Sequence, residues 1–225
     1  MKKIIPFAIT LLGALSVGSC GLMELDSEQM PVVQMTLRHD TIYTMVGDRF
    51  ELKPAFEPDT LELSDVFWTT SNDSVLSVYN NVFTALAEGW ATVRAISVSQ
   101  QIEDTCHVCV MPKWDAAALS FPYETIIYAE VKEDGKAVDW DSNIVAAYIS
   151  GELRGVGELK QYNGIEYIEI RVGSDYEDDS GNIDQTITFR LYNRQTFSVK
   201  RAKERIAFDG DSHGTLSKLI TISFD

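Results

Sequence analysis

The densest acidic stretch of the chain is Ser174-Asp175-Tyr176-Glu177-Asp178-Asp179-Ser180-Gly181-Asn182-Ile183-Asp184. Asp175, Glu177 and Asp179 alternate ahead of Gly181, with Asp184 beyond. Hard oxygen ligands at alternate positions before a tight turn are what calcium takes. Calcium is therefore the one cofactor this sequence suggests, and none is required. The EF-hand order, with its early Gly and distal Glu, is not met, and a solvated hairpin loop is the plainer reading. A second polar turn, 208–214, offers Asp209, Asp211 and His213 as ligands, or simply a long loop before the last strand. Trp114, Trp140, Tyr148, Tyr162 and Tyr192 are candidates for stacking on sugar rings, which are apolar on one face. Trp140, between Asp139 and Asp141, is the hardest to assign to a core; its alternative role is a loop anchor. Catalysis is not expected. His39, His107 and His213 stand in unrelated contexts, and there is no Gly-x-Ser-x-Gly, phosphate-binding Gly loop or His-Glu-x-x-His.

These residues sit among short β-rich runs. In the first half the clearest are 32–37, 50–55, 66–70, 75–78, 82–85, 91–98 and 105–111. In the second half they are 125–132, 144–150, 153–158, 167–172, 186–193, 197–207 and 219–224. Several alternate with period two: Phe50 and Leu52 share one face while Glu51 and Lys53 take the other, and Ile187, Phe189 and Leu191 behave likewise. Turn chemistry at Gly47-Asp48, Asn72-Asp73, Asn80-Asn81 and Glu88-Gly89 separates the runs. In the first half, strands at this spacing predict a β-sandwich or barrel; the second half reads as an all-β sandwich. Residues 113–122, whose stretch 113–119 lies between Pro112 and Pro122, form the expected joint between two modules, with a helical turn.

The N-terminus is a different kind of segment. Lys2 and Lys3 precede an apolar run of about 14 residues broken by Pro6 and Gly13, shorter than the roughly 20 a spanning helix needs and suited to a secretory signal. Val17-Gly18-Ser19-Cys20 then resembles the lipobox of bacterial lipoproteins. The resemblance implies cleavage before Cys20 and acylation of its thiol and new amine, an anchorage that is effectively permanent at about 0.8 kcal/mol per buried CH₂. Residues 20–31 become an acidic tether, whose Glu24, Asp26 and Glu28 suit export to the outer-membrane surface in Bacteroidetes-type lipoproteins. The chain carries a formal charge of −15, which disfavours nucleic acid and anionic lipid surfaces. Cys106 and Cys109 lie three apart on an expected strand, roughly 10 Å from one another and on opposite faces. That is too far for a disulfide, which needs about 7 Å or less between Cα atoms, so both are expected as free thiols.

Phe67-Trp68-Thr69-Thr70-Ser71-Asn72-Asp73-Ser74-Val75-Leu76-Ser77-Val78 and Val82-Phe83-Thr84-Ala85-Leu86-Ala87-Glu88-Gly89-Trp90-Ala91-Thr92-Val93 resemble, in order, two segments of bacterial immunoglobulin-like group 2 domains. Val46-Gly47-Asp48-Arg49-Phe50-Glu51-Leu52 resembles the segment upstream of them. Asn81 departs from the usual Gly and Trp90 from the usual small residue. The resemblance implies an immunoglobulin-like sandwich over 32–112 with Trp68 in its core. Ala146-Ala147-Tyr148-Ile149-Ser150-Gly151-Glu152-Leu153-Arg154-Gly155-Val156, with the later strand 186–193, resembles an element of β-sandwich accessory modules in exported Bacteroidetes proteins. Arg154 stands out in that element, either as a ligand contact or as a charged staple between strands.

The expectation is thus an all-β chain of two tandem β-sandwiches, the second over 123–225. It would be membrane-held by an N-terminal lipid at Cys20 and would bind a glycan or a surface protein without catalysis. Trp140, Tyr148 and Arg154 are its ligand-site candidates, and Asp175, Glu177, Asp179 and Asp184 its calcium candidates. A structural subunit of an envelope assembly, pairing through strand edges, is the alternative. A calcium-dependent accessory to polysaccharide hydrolysis is the weakest reading, since carboxylate pairs for that chemistry are defined by distance in space.

Overall fold

The computed structural model describes residues 34–58, 66–98, 101–177 and 185–225. Cys20, Asp179 and Asp184 lie outside these residues. Among the described residues the only helical element is a 3-10 turn, Ala116–Ala118, and no helix is long and apolar enough to cross a membrane.

The first lobe is a sandwich. One sheet has the order β2 (Thr41–Met45), β9 (Ile102–Met111), β8 (Gly89–Ser97), β5 (Val66–Thr70); the other has β3 (Arg49–Glu51), β7 (Val82–Ala85), β6 (Leu76–Tyr79). A ribbon of β1 (Gln34–Leu37) and β4 (Pro54–Glu57) flanks them. β2 runs parallel to β9 and the other pairings are antiparallel. Period-two burial builds the core: Ile42, Phe50, Phe83, Val93, Cys106 and Val108 all point inward. The Phe50 and Phe83 rings stack at 5.4 Å, and Trp68 meets Phe83 edge-on at 5.5 Å. Cys106 is buried in this core and Cys109 is turned to the opposite face, and both are free. The left-handed residue of the β6–β7 turn is Asn80 (φ 55°).

The second lobe departs from the expected sandwich. Its sheet runs β10 (Tyr123–Glu133), β14 (Ile165–Ser174), β13 (Glu152–Tyr162), β12 (Asn143–Ile149), β15 (Thr186–Asn193), β16 (Ser198–Ala207), β17 (Ile220–Phe224), and β17 then pairs parallel with β10. The ring is a closed seven-stranded barrel, with two-residue β11 (Lys136–Ala137) as a short arm on β10. Ile127, Ile170, Ile187, Phe189, Phe208 and Phe224 are among the side chains that fill it, as expected for a barrel of about this strand number.

The joint between the lobes is a core in its own right. Met45 and Met111 of the sandwich, Trp114 of the connection and Ala146, Tyr148, Val156 and Tyr192 of the barrel form one buried cluster. Trp114 is 6% exposed and meets Tyr148 and Tyr192 edge-on at 6.1 and 6.2 Å. Asp115 caps the 3-10 turn by accepting from the Ala117 N–H at 3.2 Å. The β15–β16 turn makes a second tie. Asn193 Oδ1 accepts from the N–H groups of Gln195 and Thr196, both at 2.9 Å, and shapes this turn. The Phe197 carbonyl accepts from the Tyr43 N–H at 2.8 Å. The Phe197 ring packs on the sandwich core, 5.7 Å from that of Phe50.

Candidate functional site

The strand pair β13–β14 ends in Asn163-Gly164, both at positive φ. This is the two-residue hairpin that Asn-Gly favours. It sets Tyr162 directly opposite Ile165, each about half exposed at 51%. Facing this tip is the segment before β17. Its backbone is clamped to β10: the Tyr128 N–H donates to the His213 carbonyl and the His213 N–H to the Ile126 carbonyl, both at 2.9 Å. The Thr125 hydroxyl donates to the Asp211 carbonyl. Gly214 makes the close approach feasible. It has φ +77°, and a Cβ there would lie 2.5 Å from the Tyr128 carbonyl oxygen. Thr215 and Lys218 then close a tight turn by exchanging backbone bonds of 2.9 and 3.0 Å.

Between tip and turn lies an open groove of about 660 Å³. Tyr128, Tyr162, Ile165 and Leu216 supply apolar faces, and Asn163 with the hydroxyls of Thr215 and its neighbours supplies hydrogen-bonding groups. No charged side chain lines it, although the chain carries −15 overall. The volume is within the range of small-ligand sites. The fixed turn and hairpin mean that little ordering would accompany binding.

Of the residues singled out from sequence, Tyr162 alone belongs to this groove. Tyr148 is corrected: at 3% exposure it is buried in the seam between lobes, its ring covered by the Arg190 guanidinium at 4.0 Å, so it has no free face for a ligand. Trp114 and Tyr192 are buried in the same seam. Burial, together with the Asp48 charge, pushes the Tyr192 phenol up to about 12. Trp140 is half-buried and leans on the barrel core, the anchoring role.

Arg154 is a staple. Its guanidinium, 15% exposed, pairs with Asp175 at 2.8 Å and Glu152 at 2.6 Å, and lies 4.7 Å over the Phe121 ring. Burial pulls its pKa down, but the bonds from Asp175 and Glu152 outweigh this and the net shift is upward. Gly155 beside it is equally constrained: a Cβ there would meet the Arg171 carbonyl oxygen at 2.4 Å. Asp175 is thus engaged by a cation, and Glu177 is exposed. Asp209 Oδ1 lies 3.1 Å from His213 Nε2 and accepts from the Asp211 N–H. No group of three or more His, Cys, Asp or Glu among the described residues is arranged to hold a metal ion.

The groove joins residues near 128, 162 and 215 that no short motif links. The readable signals were Asn163-Gly164 as a hairpin turn and Gly214 in a polar loop.

The fold and groove define a two-lobed all-β protein, a sandwich fused to a closed barrel. No protein-family model and no curated protein matches the chain. Solved structures that match include domains 1–6 of the surface layer protein SbsC, at 11% identity over 78% of this chain and 26% of that one, TM-score 0.29. Domains 4 and 5 of SbsC match at 13% identity over 87% of this chain and 100% of that one, TM-score 0.30. Extracellular cadherin domains 1–4 of protocadherin gamma B7 match at 11% over 77% and 49%, TM-score 0.28. The chain spans about a quarter of the first of these. At such TM-scores the likenesses carry no argument, and the all-β architecture rests on the strand pairings above.

Proposed function

We propose that this chain is a non-catalytic cell-envelope lipoprotein, anchored through Cys20, in which an immunoglobulin-like lobe supports a barrel that binds a neutral glycan in the Tyr128–Tyr162 groove. The observation that carries the reading is the uncharged groove on a strongly acidic chain. A cation would be drawn to the many carboxylates elsewhere, and an anion finds no cationic group in the groove. A neutral polyol instead finds tyrosine faces for its C–H surfaces and amide and hydroxyl groups for its hydroxyls. Its position also fits display. Leu153, packed on the seam, and Tyr162, at the groove, sit at opposite ends of β13, about 30 Å apart at ~3.3 Å per residue.

The test is equilibrium binding of the full chain, held in a non-ionic detergent, to neutral and charged polysaccharides with calcium and with chelator. Saturable binding to a neutral glycan that Tyr162→Ala removes supports the reading; no binding across the neutral panel refutes it. Loss with chelator would bring in the acidic loop at Asp175 and Glu177. The anchor is tested by incorporation of labelled palmitate, which Cys20→Ser abolishes. A structural-subunit role has one observation in its favour. β5 is the terminal strand of its sheet and carries Phe67 at 59% exposure, an apolar edge suited to pairing with a neighbour. A stable protein complex recovered from membranes would favour it.

A further inference from the structure

The outer face of β15 and β16 carries a feature the groove does not use. Thr188 pairs with Arg205 and Arg190 with Arg201, but between these pairs β15 has one residue and β16 has three, 202–204. Such a bulge re-aims the side chains beside it. Arg190, Arg201 and Arg205 all line a cleft of about 130 Å³ there. Six other cations of the barrel, Lys132, Arg154, Lys160, Arg171, Lys200 and Lys203, each sit in an ion pair; among the described residues Lys136, Arg194 and Lys218 do not, but they stand apart from this cleft. Among the described residues no carboxylate pairs with Arg190, Arg201 or Arg205. Glu204, inside the bulge, accepts from the Ser223 N–H at 2.7 Å. Lys203, between the two arginines of β16, is engaged by Asp225. Like charges opposite one another on neighbouring strands destabilise a sheet, yet Arg190 and Arg201 are direct partners. Arg190 is held in place by its stack on Tyr148, 4.0 Å from the ring centroid, and Thr188 is fixed by donating to the Tyr148 carbonyl at 3.3 Å.

From three arginines without carboxylate partners that line one cleft, at a bulge on an otherwise acidic chain, we infer a binding site for a tetrahedral oxyanion, a phosphate or sulfate group. Guanidinium groups match such oxygens with forked, charge-assisted hydrogen bonds. A bound anion would remove the repulsion between Arg190 and Arg201. The site is separate from the neutral groove: Arg190 lies on the seam tyrosine Tyr148, while the groove is built on Tyr128 and Tyr162.

The test titrates the full chain in non-ionic detergent with inorganic phosphate, inorganic sulfate and heparin, following binding and Tm. Phosphate or sulfate is expected to bind saturably and raise Tm. The double variant Arg201→Gln/Arg205→Gln should bind at least about tenfold more weakly, since one charge-assisted contact of ~1.4 kcal/mol corresponds to a factor of ten. Lys203→Gln and Tyr162→Ala should bind as the parent does. Both arginines are exposed, so the double variant is expected to fold, and an unchanged circular dichroism spectrum checks this. Heparin binding more tightly than free sulfate per group assigns the oxyanion to a sulfated polymer; equal affinity assigns it to the free ion. Absence of saturable binding by all three probes overturns the inference. So does oxyanion binding that the double variant leaves unchanged.

Discussion

Replacing Trp114 by Ala should separate the two lobes. Trp114 belongs to neither the sandwich core nor the barrel core; it lies in the connection and is buried against both lobes. An aromatic side chain of its size buries about 200 Å² when nearly enclosed, and at 6% exposure little is left in water. At about 25 cal/mol per Å² that burial is worth about 5 kcal/mol. The compactness of unfolded chains reduces this by 10–40%, leaving about 3–5 kcal/mol, the range seen for large aromatic-to-Ala changes. Because the loss falls on the seam, it subtracts from the coupling between lobes and not from the stability of either one. The parent should therefore unfold in urea in a single transition by tryptophan fluorescence and circular dichroism alike. The variant should unfold in two, with the probes no longer coincident. The reasoning is refuted if the parent already unfolds in two steps, or if the variant keeps one transition with an unchanged midpoint.

Three further outcomes follow from particular contacts. Gly214→Ala forces a side chain into a left-handed backbone and against the Tyr128 carbonyl. It should cost about 1–3 kcal/mol and weaken ligand binding in the groove, read by urea midpoint and glycan titration together. Glu169 is nearly buried; burial raises its pKa, but Lys160 at 2.8 Å and Arg171 at 3.2 Å hold it below the ordinary 4.5. Its contribution to stability is therefore present above about pH 4.5 and lost as pH falls through the lower folded value. Glu169→Gln should flatten the fall in urea midpoint on acidification, and an unchanged slope would exclude this pair as a cause. Cys106 is pushed up to about 12 by burial and by Asp40 and Asp104, so in a Cys20→Ser chain a thiol reagent at about pH 8 should modify half-buried Cys109 first. Equal rates at the two thiols would contradict the burial described.

Strand content was largely legible. The runs 66–70, 82–85 and 186–193 coincide with β5, β7 and β15 because period-two alternation and flanking turn residues agree there. β2 went unread: Thr41-Ile42-Tyr43-Thr44-Met45 is short and rich in threonine, and its pairing is parallel to the distant β9. The expected run 50–55 breaks into β3 and β4, which join different sheets. Barrel closure left no local trace, since the inward face of a barrel and that of a sandwich alternate identically, and only the β10–β17 register distinguishes them. Tyr148 and Tyr192 read as candidate surface aromatics because what buries them is the other lobe and the connection, distant in sequence. Arg154 as a staple was readable, its Glu152 partner two residues away; the Asp175 partner required the fold.

Closure of the barrel gives the molecule a directional character. The ring of seven strands is closed, though β16 and β17 register at the single pair Ala202–Phe224, so among the described residues that lobe offers little backbone beyond β11 and the β16–β17 seam to which a foreign strand could be added. Among the described residues, the open edges from which sheet could grow into a neighbouring molecule lie mainly on the sandwich, at strands such as β5. The barrel would then meet neighbours chiefly by side chains, while sheet-extending contacts would fall mainly to the sandwich lobe.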